Sequence, residues 1–180
     1  MQIKNLTIVV LALMIEFGAV LHAQTTGFTK KESTEARLRT LEDREEIRQI
    51  MIEYGRTLDQ RNFAGFSKLF AKDAEYGGGG GGGVTKGSQT IAKLLEETFR
   101  KNPTNLNSPN FHLFMNETIR VNGDLATALS KGLFVVRGDN NKPDSVMLAT
   151  YKDVFIRENG VWKFKQRLVQ GDIPPASASK

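Results

Sequence analysis

The sequence contains no cysteine among its 180 residues, which excludes both disulfide bonds and thiol nucleophiles. Histidine is almost as scarce, because only His22 and His112 are present. If His22 is removed with an N-terminal targeting segment, any imidazole chemistry belongs to His112 alone. A metal site built from several histidines is then excluded, and we expect no bound metal.

A cluster of positive charge is also missing. Lysine and arginine exceed aspartate and glutamate by 25 to 20, a net charge of +5, but the basic residues are scattered among the acidic ones. No motif combines basic and aromatic residues in the way that nucleic-acid-binding modules do. We therefore expect no nucleic-acid partner, and the composition is that of an ordinary globular protein.

The first 23 residues differ in composition from the rest of the chain. Lys4 precedes an apolar run over Leu6–Ile15, and small residues lead to Ala23. This layout predicts a secretory signal peptide over 1–23, export of the protein and no stable membrane insertion after cleavage, since the run is too short to span a bilayer. An uncleaved membrane anchor is the alternative.

The next part of the chain has helical periodicity. We interpret 24–39 as a polar leader and predict a first helix from Thr40 to Asp59, with "TLED" as its capping box. Asn62 is the predicted N-cap of a short second helix, and Ser88 caps a third.

After the third helix the apolar period changes from 3.6 to 2, which predicts strands. "NGD" and "ENG" are tight-turn signals between neighbouring segments. The predicted strands are Phe111–Val121, Leu125–Arg137, Val146–Arg157 and Val161–Val169. Helices followed by an antiparallel meander predict an α+β fold over 40–172, with a flexible tail over 173–180.

A run of seven glycines follows Tyr76 in "YGGGGGGG". It matches G-x-G-x-x-G trivially, but the βαβ unit of a dinucleotide-binding fold is missing. A phosphate-binding loop requires Gly-Lys-Ser/Thr, whereas this chain has "TKGS". We therefore interpret the run as the tip of a hairpin between two short strands.

Four segments together resemble the SnoaL-like proteins of the nuclear transport factor 2-like superfamily. They are "DREEIRQIMIEYGRTLDQRNFAGFSKLFAKDAEY", "KGSQTIAKLLEETF", "NGDLATALS" and "YKDVFIRENGVWKFKQRLV". The resemblance implies a cone in which a strongly curved, mostly antiparallel sheet wraps an apolar pocket covered by helices. It also implies a small-molecule ligand, no cofactor and a homodimer formed through the outer face of the sheet.

Within that superfamily, the site pattern resembles that of scytalone dehydratase. The resemblance places Asp59 at the acid position, Tyr76 at the strand tyrosine and His112 at the first catalytic histidine. Two positions depart from the pattern: Leu58 replaces a tyrosine, and Arg137 stands near the second histidine. An acid–imidazole pair would remain, acting on a different substrate.

The neighbours of these residues are candidate contacts for the substrate. Strand alternation places Phe114 and Asn116 on the face of His112. Tyr54 lies on the apolar face of the first helix, where it belongs to the core or lines the pocket. Arg137 begins a loop if it points outward, or binds a carbonyl or anionic group if it points inward.

The function that these residues favour is acid–base catalysis of the lyase or isomerase type, such as a dehydratase or a cyclase. The expected substrate is a small hydrophobic compound with a carbonyl or hydroxyl group. The alternative is a non-catalytic module of the same fold, which binds a small molecule or dimerises.

Overall fold

A computed structural model describes residues 32–78, 81–101, 109–138 and 141–173. The predicted signal peptide, the first half of the polar leader and nearly all of the predicted tail lie outside these residues. Within them, three helices and six strands follow one another along the chain. They are α1 (Thr34–Asp59), α2 (Phe63–Lys68), β1 (Phe70–Gly78), β2 (Gly81–Lys86), α3 (Ser88–Lys101), β3 (Asn110–Asn122), β4 (Leu125–Arg137), β5 (Pro143–Glu158) and β6 (Val161–Ile173).

The six strands form one open, mostly antiparallel sheet in the order β2-β1-β6-β5-β4-β3. The meander β3-β4-β5-β6 is antiparallel throughout, and β1 joins β6 in parallel. Because β1 precedes the meander in sequence, α3 lies on the crossover between its hairpin and β3. The predicted α+β fold with a curved antiparallel sheet is confirmed.

The first helix begins earlier than its sequence pattern predicted. Ser33 is the N-cap, and its hydroxyl accepts a hydrogen bond from the Ala36 main-chain N–H. The predicted capping box at Thr40 is wrong: this residue lies inside α1 and its hydroxyl donates to the carbonyl of Ala36. The second cap is confirmed, since the Asn62 side chain accepts from the Gly65 N–H.

The core lies between the helices and one face of the sheet. The α1 helix packs on β3, and α3 packs on β1. Each helix buries a stripe of apolar residues spaced by three or four positions, and each meander strand contributes alternate residues. From α1 these are Ile47, Met51, Tyr54 and Leu58; from α3, Ile91, Leu95 and Phe99; from the sheet, Ala149, Phe155, Trp162 and Phe164.

Bulges decide which side chains of the meander face the core. In β3 the pairing register shifts between Met115 and Thr118, and Asn116 adopts a positive φ of 54°. A second shift follows Phe164 in β6, so the buried face continues at Arg167 rather than at Gln166. An extra residue in one strand exchanges the two faces of the sheet from that point on.

The glycine run forms the hairpin that the sequence predicted. β1 ends at Gly78, which pairs with Gly81 of β2. Gly78 has a φ of 82°, and a Cβ atom there would lie 1.9 Å from the Val169 carbonyl oxygen. Only glycine satisfies both conditions, because a side chain would break the contact between β1 and β6.

The face of the sheet turned away from the helices exposes several large apolar side chains, among them Phe111, Leu113 and Leu129. The homodimer that the resemblance implies through this face stays a prediction. Within the described part of the chain, no helix is long and apolar enough to cross a membrane.

Candidate active site

The fold brings Asp59 and His112 into direct contact. Asp59 is the last residue of α1, and His112 lies near the start of β3, the strand on which α1 packs. The ring Nδ1 of His112 lies 2.6 Å from Asp59 Oδ1, and the main-chain N–H of His112 donates to Oδ2 at 3.0 Å. The Asn110 amide also donates to Oδ1, at 2.6 Å. One carboxylate therefore collects three hydrogen bonds.

This arrangement fixes the tautomer of the imidazole. An ionised carboxylate only accepts hydrogen bonds, so the His112 nitrogen that faces Asp59 carries the proton. In the neutral imidazole the other ring nitrogen, Nε2, has the lone pair and can accept a proton from a ligand. The Phe134 ring packs against the imidazole at a centroid distance of 4.6 Å and fixes its plane.

Three tyrosines from three elements stand near this pair. The hydroxyls of Tyr54 in α1 and Tyr76 in β1 are hydrogen-bonded at 3.0 Å. The Tyr54 ring also contacts the rings of His112 and of Tyr151 in β5 edge-on. Burial raises the pKa of Tyr76 to about 12 and holds the pKa of Tyr54 and Tyr151 well above the ordinary value. The three hydroxyls are therefore hydrogen-bond donors at neutral pH.

The three tyrosines and His112 line a cavity of about 250 Å³. Its volume falls just below the usual range of about 300–1,000 Å³ for ligand pockets, which suits a compact ligand. Thr98 is the remaining polar lining residue. The rest of the wall is apolar: Leu58, Leu95, Phe99, Phe134, Val146, Met147 and Val169.

Not every predicted site residue reaches this cavity. Tyr54, Leu58, Tyr76 and His112 line it, whereas Phe114 packs behind the wall on the rings of Tyr54 and Tyr151.

The predicted position of Asn116 on the face of His112 is wrong. Asn116 is exposed at the bulge of β3, which ends the alternation on which the prediction depended. Arg137 is exposed at the end of β4, as the outward alternative predicted.

Sequence patterns missed four polar residues at or behind the site. Asn110 stands at the edge of a polar loop, and its contact with Asp59 depends on the α1–β3 packing. Tyr151 and Asp153 do alternate with Lys152 in "YKDVF", and that spacing could have placed them on the inner face. Arg167 faces inward only because of the bulge in β6.

Among residues 32–78, 81–101, 109–138 and 141–173, no group of three or more histidine, cysteine, aspartate or glutamate side chains could hold a metal ion. The titratable groups at or beside the cavity are one imidazole, one carboxylate and three phenols.

Comparison with known proteins places this site in a family. The profile of a SnoaL-like domain matches residues 39–168, which include Asp59, Tyr76 and His112. An uncharacterized protein of Mycobacterium tuberculosis is 27% identical over 130 residues, covering 71% of this chain and 84% of its own length.

Solved structures share the fold. A nuclear transport factor 2-like protein with a cystatin-like fold from Novosphingobium aromaticivorans has a TM-score of 0.67 and 28% identity, over 80% of this chain and 91% of its own. A candidate scytalone dehydratase from the same organism has a TM-score of 0.60 and 25% identity, over 73% and 85%. A hexachlorocyclohexane dehydrochlorinase, 21% identical with a TM-score of 0.62 over 76% and 89%, shares the fold alone.

Proposed function

The chain belongs to the family of SnoaL-like domains, and from that membership we propose that its cavity catalyses cofactor-independent acid–base chemistry of the lyase or isomerase type. The substrate is a small, neutral, hydrophobic compound with a carbonyl or hydroxyl group. The observation that carries the proposal is the 2.6 Å contact between Asp59 and His112, whose side chain lines an apolar cavity. The candidate scytalone dehydratase, at 25% identity, supports a reaction of this class.

In the proposed reaction His112 is the general base. Its Nε2 removes a proton from the carbon next to the substrate carbonyl, and the C–H electron pair moves into the enolate. Asp59 holds Nδ1–H and stabilises the imidazolium that forms. The Phe134 ring and the surrounding apolar side chains keep water away, which strengthens these electrostatic interactions.

The tyrosines serve the other end of the substrate. The hydroxyls of Tyr54 and Tyr76 are hydrogen-bonded to each other, and one of the two is the donor. The hydroxyl that accepts this bond still has its own proton, which it can donate to the enolate oxygen. From the enolate two outcomes are balanced. In a ketone with a β,γ carbon–carbon double bond, return of the proton to the γ-carbon isomerises the substrate. In a β-hydroxy ketone, the enolate electron pair expels the β-hydroxyl, which takes the proton from His112 and leaves as water.

The charges around the cavity favour a neutral substrate. His112 is paired with Asp59, and the buried Arg167 is paired with Asp153. No lysine or arginine is among the side chains that line the cavity in the described part of the chain. A carboxylate or phosphate group would therefore lose its hydration without gaining a cation in exchange.

Hydrogen–deuterium exchange tests the proposal without knowledge of the natural reaction. A panel of small cyclic ketones is incubated with the protein in D2O, and loss of the α-proton signal is followed by NMR. We expect at least one ketone to exchange faster than in buffer. Because the base and the oxyanion donor each contribute to this step, His112→Gln and Tyr76→Phe should slow it, by about 100-fold or more for His112→Gln.

Arg137→Gln is the matched control, since Arg137 is exposed at the end of β4. Its exchange rate should equal that of the wild type. If ketones bind but none exchanges above the buffer rate, the catalytic proposal fails and the cavity belongs to a non-catalytic binding module.

A further inference from the structure

A buried ion pair lies behind the cavity wall. Arg167 Nε and Nη2 donate to the two carboxylate oxygens of Asp153 at 2.8 and 3.0 Å, and neither side chain is exposed to solvent. The two residues face each other across β5 and β6. Neither is among the side chains that line the cavity. The pair is thus outside the set of groups that would touch a substrate.

Aromatic rings surround the Arg167 guanidinium. Its central carbon lies 4.0 Å from the ring centroid of Tyr54, 4.4 Å from Phe164, 4.7 Å from Tyr151 and 5.2 Å from Phe114. Two of these rings, Tyr54 and Tyr151, are cavity-lining side chains. The cation therefore lies over the faces of the phenols whose hydroxyls belong to the candidate site.

Stability alone does not account for this pair. Removing two charges from water costs about as much free energy as their attraction returns, so well-packed apolar residues are often as stable. The pair is also incompletely satisfied: within the described residues Arg167 Nη1 is buried and has no hydrogen-bond acceptor. A purely structural cross-link between β5 and β6 does not require a guanidinium in this position.

We propose that Arg167, oriented by Asp153, strengthens hydrogen-bond donation from the Tyr54 and Tyr151 hydroxyls to a negatively charged ligand oxygen in the cavity. A cation over the face of a phenol draws electron density from the ring, so the O–H group becomes a stronger donor. The effect is larger in a site without water. Arg167 is a positioning residue, because it acts through the rings.

The causes of the pKa shifts of the tyrosines agree with this geometry. Burial raises the pKa of Tyr54 and Tyr151, and for both the neighbouring phenol raises it further. Arg167 lowers the pKa of each, and does so more than Asp153 raises it. The same holds for Tyr76. The two charged groups that act on these phenols are Asp153 of β5 and Arg167 of β6, and of the two only the guanidinium favours negative charge.

The inference rests on the proposed role of the tyrosines, but its test needs no turnover. Para-nitrophenol is the probe, because its ionised form is coloured and presents an oxyanion. Para-nitroanisole has a similar shape and no ionisable oxygen. Two neutral versions of the pair are compared with the wild type: Arg167→Met with Asp153→Leu, and Arg167→Gln with Asp153→Asn.

We expect both double variants to bind para-nitroanisole as the wild type does. Their affinity for para-nitrophenolate should fall by about tenfold, which lies within the range of one cation–π contact. The bound probe should also ionise at a higher pH than in the wild type.

Three results overturn the inference. Unchanged affinity for para-nitrophenolate means that the cation does not act on the tyrosines. An equal loss for both probes means that the pair only supports packing, and failure of both variants to fold means that it is required for the fold. The proposed function fails separately: absent α-proton exchange, with discrimination between the probes retained, rejects catalysis and leaves this inference standing.

Discussion

The orientation of the His112 imidazole depends on the carboxylate of Asp59. That carboxylate accepts hydrogen bonds from the Asn110 amide at 2.6 Å, from the His112 ring at 2.6 Å and from the His112 main chain at 3.0 Å. Asp59→Asn keeps the shape of the side chain, removes its charge and replaces one acceptor oxygen with a donor. At least one of the three donors then loses its acceptor.

The expected cost follows from these contacts. Hydrogen bonds to a charged group contribute about 1.5–3 kcal/mol each and neutral ones about 0.5–1.5 kcal/mol. The exchange of three charge-assisted bonds for at most two neutral ones costs about 3.5 kcal/mol when the low ends of both ranges are used. The Asp59 side chain is 19% exposed, so water compensates part of the loss. We expect the free energy of unfolding to fall by about 2–3 kcal/mol.

Urea denaturation followed by the fluorescence of Trp162, the single tryptophan, measures this loss. Nitrogen NMR of His112 measures the second consequence, because without the carboxylate the proton is shared between both ring nitrogens. Asp124→Asn is the control: its side chain is 78% exposed, and a change below about 0.5 kcal/mol is expected. If Asp59→Asn unfolds at the urea concentration of this control and keeps the wild-type tautomer, the carboxylate does not orient the ring.

Three further outcomes are expected. Because burial raises the pKa of Tyr76 to about 12 and also raises that of the other two tyrosines, the folded protein should show no tyrosinate absorbance near pH 10, where the unfolded chain ionises. The contribution of these neutral tyrosines to the free energy of unfolding is complete below pH 10 and is lost as the pH rises towards 12. Appreciable tyrosinate absorbance of the folded protein at pH 10 would contradict this prediction. Gly132→Ala should abolish cavity binding of para-nitroanisole in calorimetry, since a Cβ atom there would lie 2.5 Å from the Tyr151 ring; unchanged affinity would show that the ring adapts. Asp43→Ala should lower the unfolding free energy by about 2–4 kcal/mol in urea, because it leaves Arg157 and the Trp162 N–H without their shared acceptor; a loss below 1 kcal/mol would contradict that role.

Local patterns were sufficient for most of the fold. The 3.6-residue period of α1, the alternation from Phe111 onward and the "NGD" and "ENG" turns depend on neighbours in sequence, and they predicted the helices and the meander. The start of α1 was missed because Ser33 and Thr40 both satisfy the local rules for an N-cap, and only the folded chain distinguishes them. The parallel pairing of β1 with β6 has no local signal at all.

The residues of the site also fall into two groups, those that the sequence indicated and those that only the folded chain brings together. The scarcity of histidine in the sequence singled out His112, and the resemblance to a family added Asp59 and Tyr76. Contacts between distant segments could not be predicted: Asn110 reaches Asp59 across 51 positions, and the bulge in β6 decides that Arg167 is buried. A one-residue bulge leaves no mark in the apolar pattern, yet it reverses which face a side chain occupies. The sequence by itself therefore determined the elements and the candidate site residues, whereas the tertiary structure decided which polar groups surround the cavity.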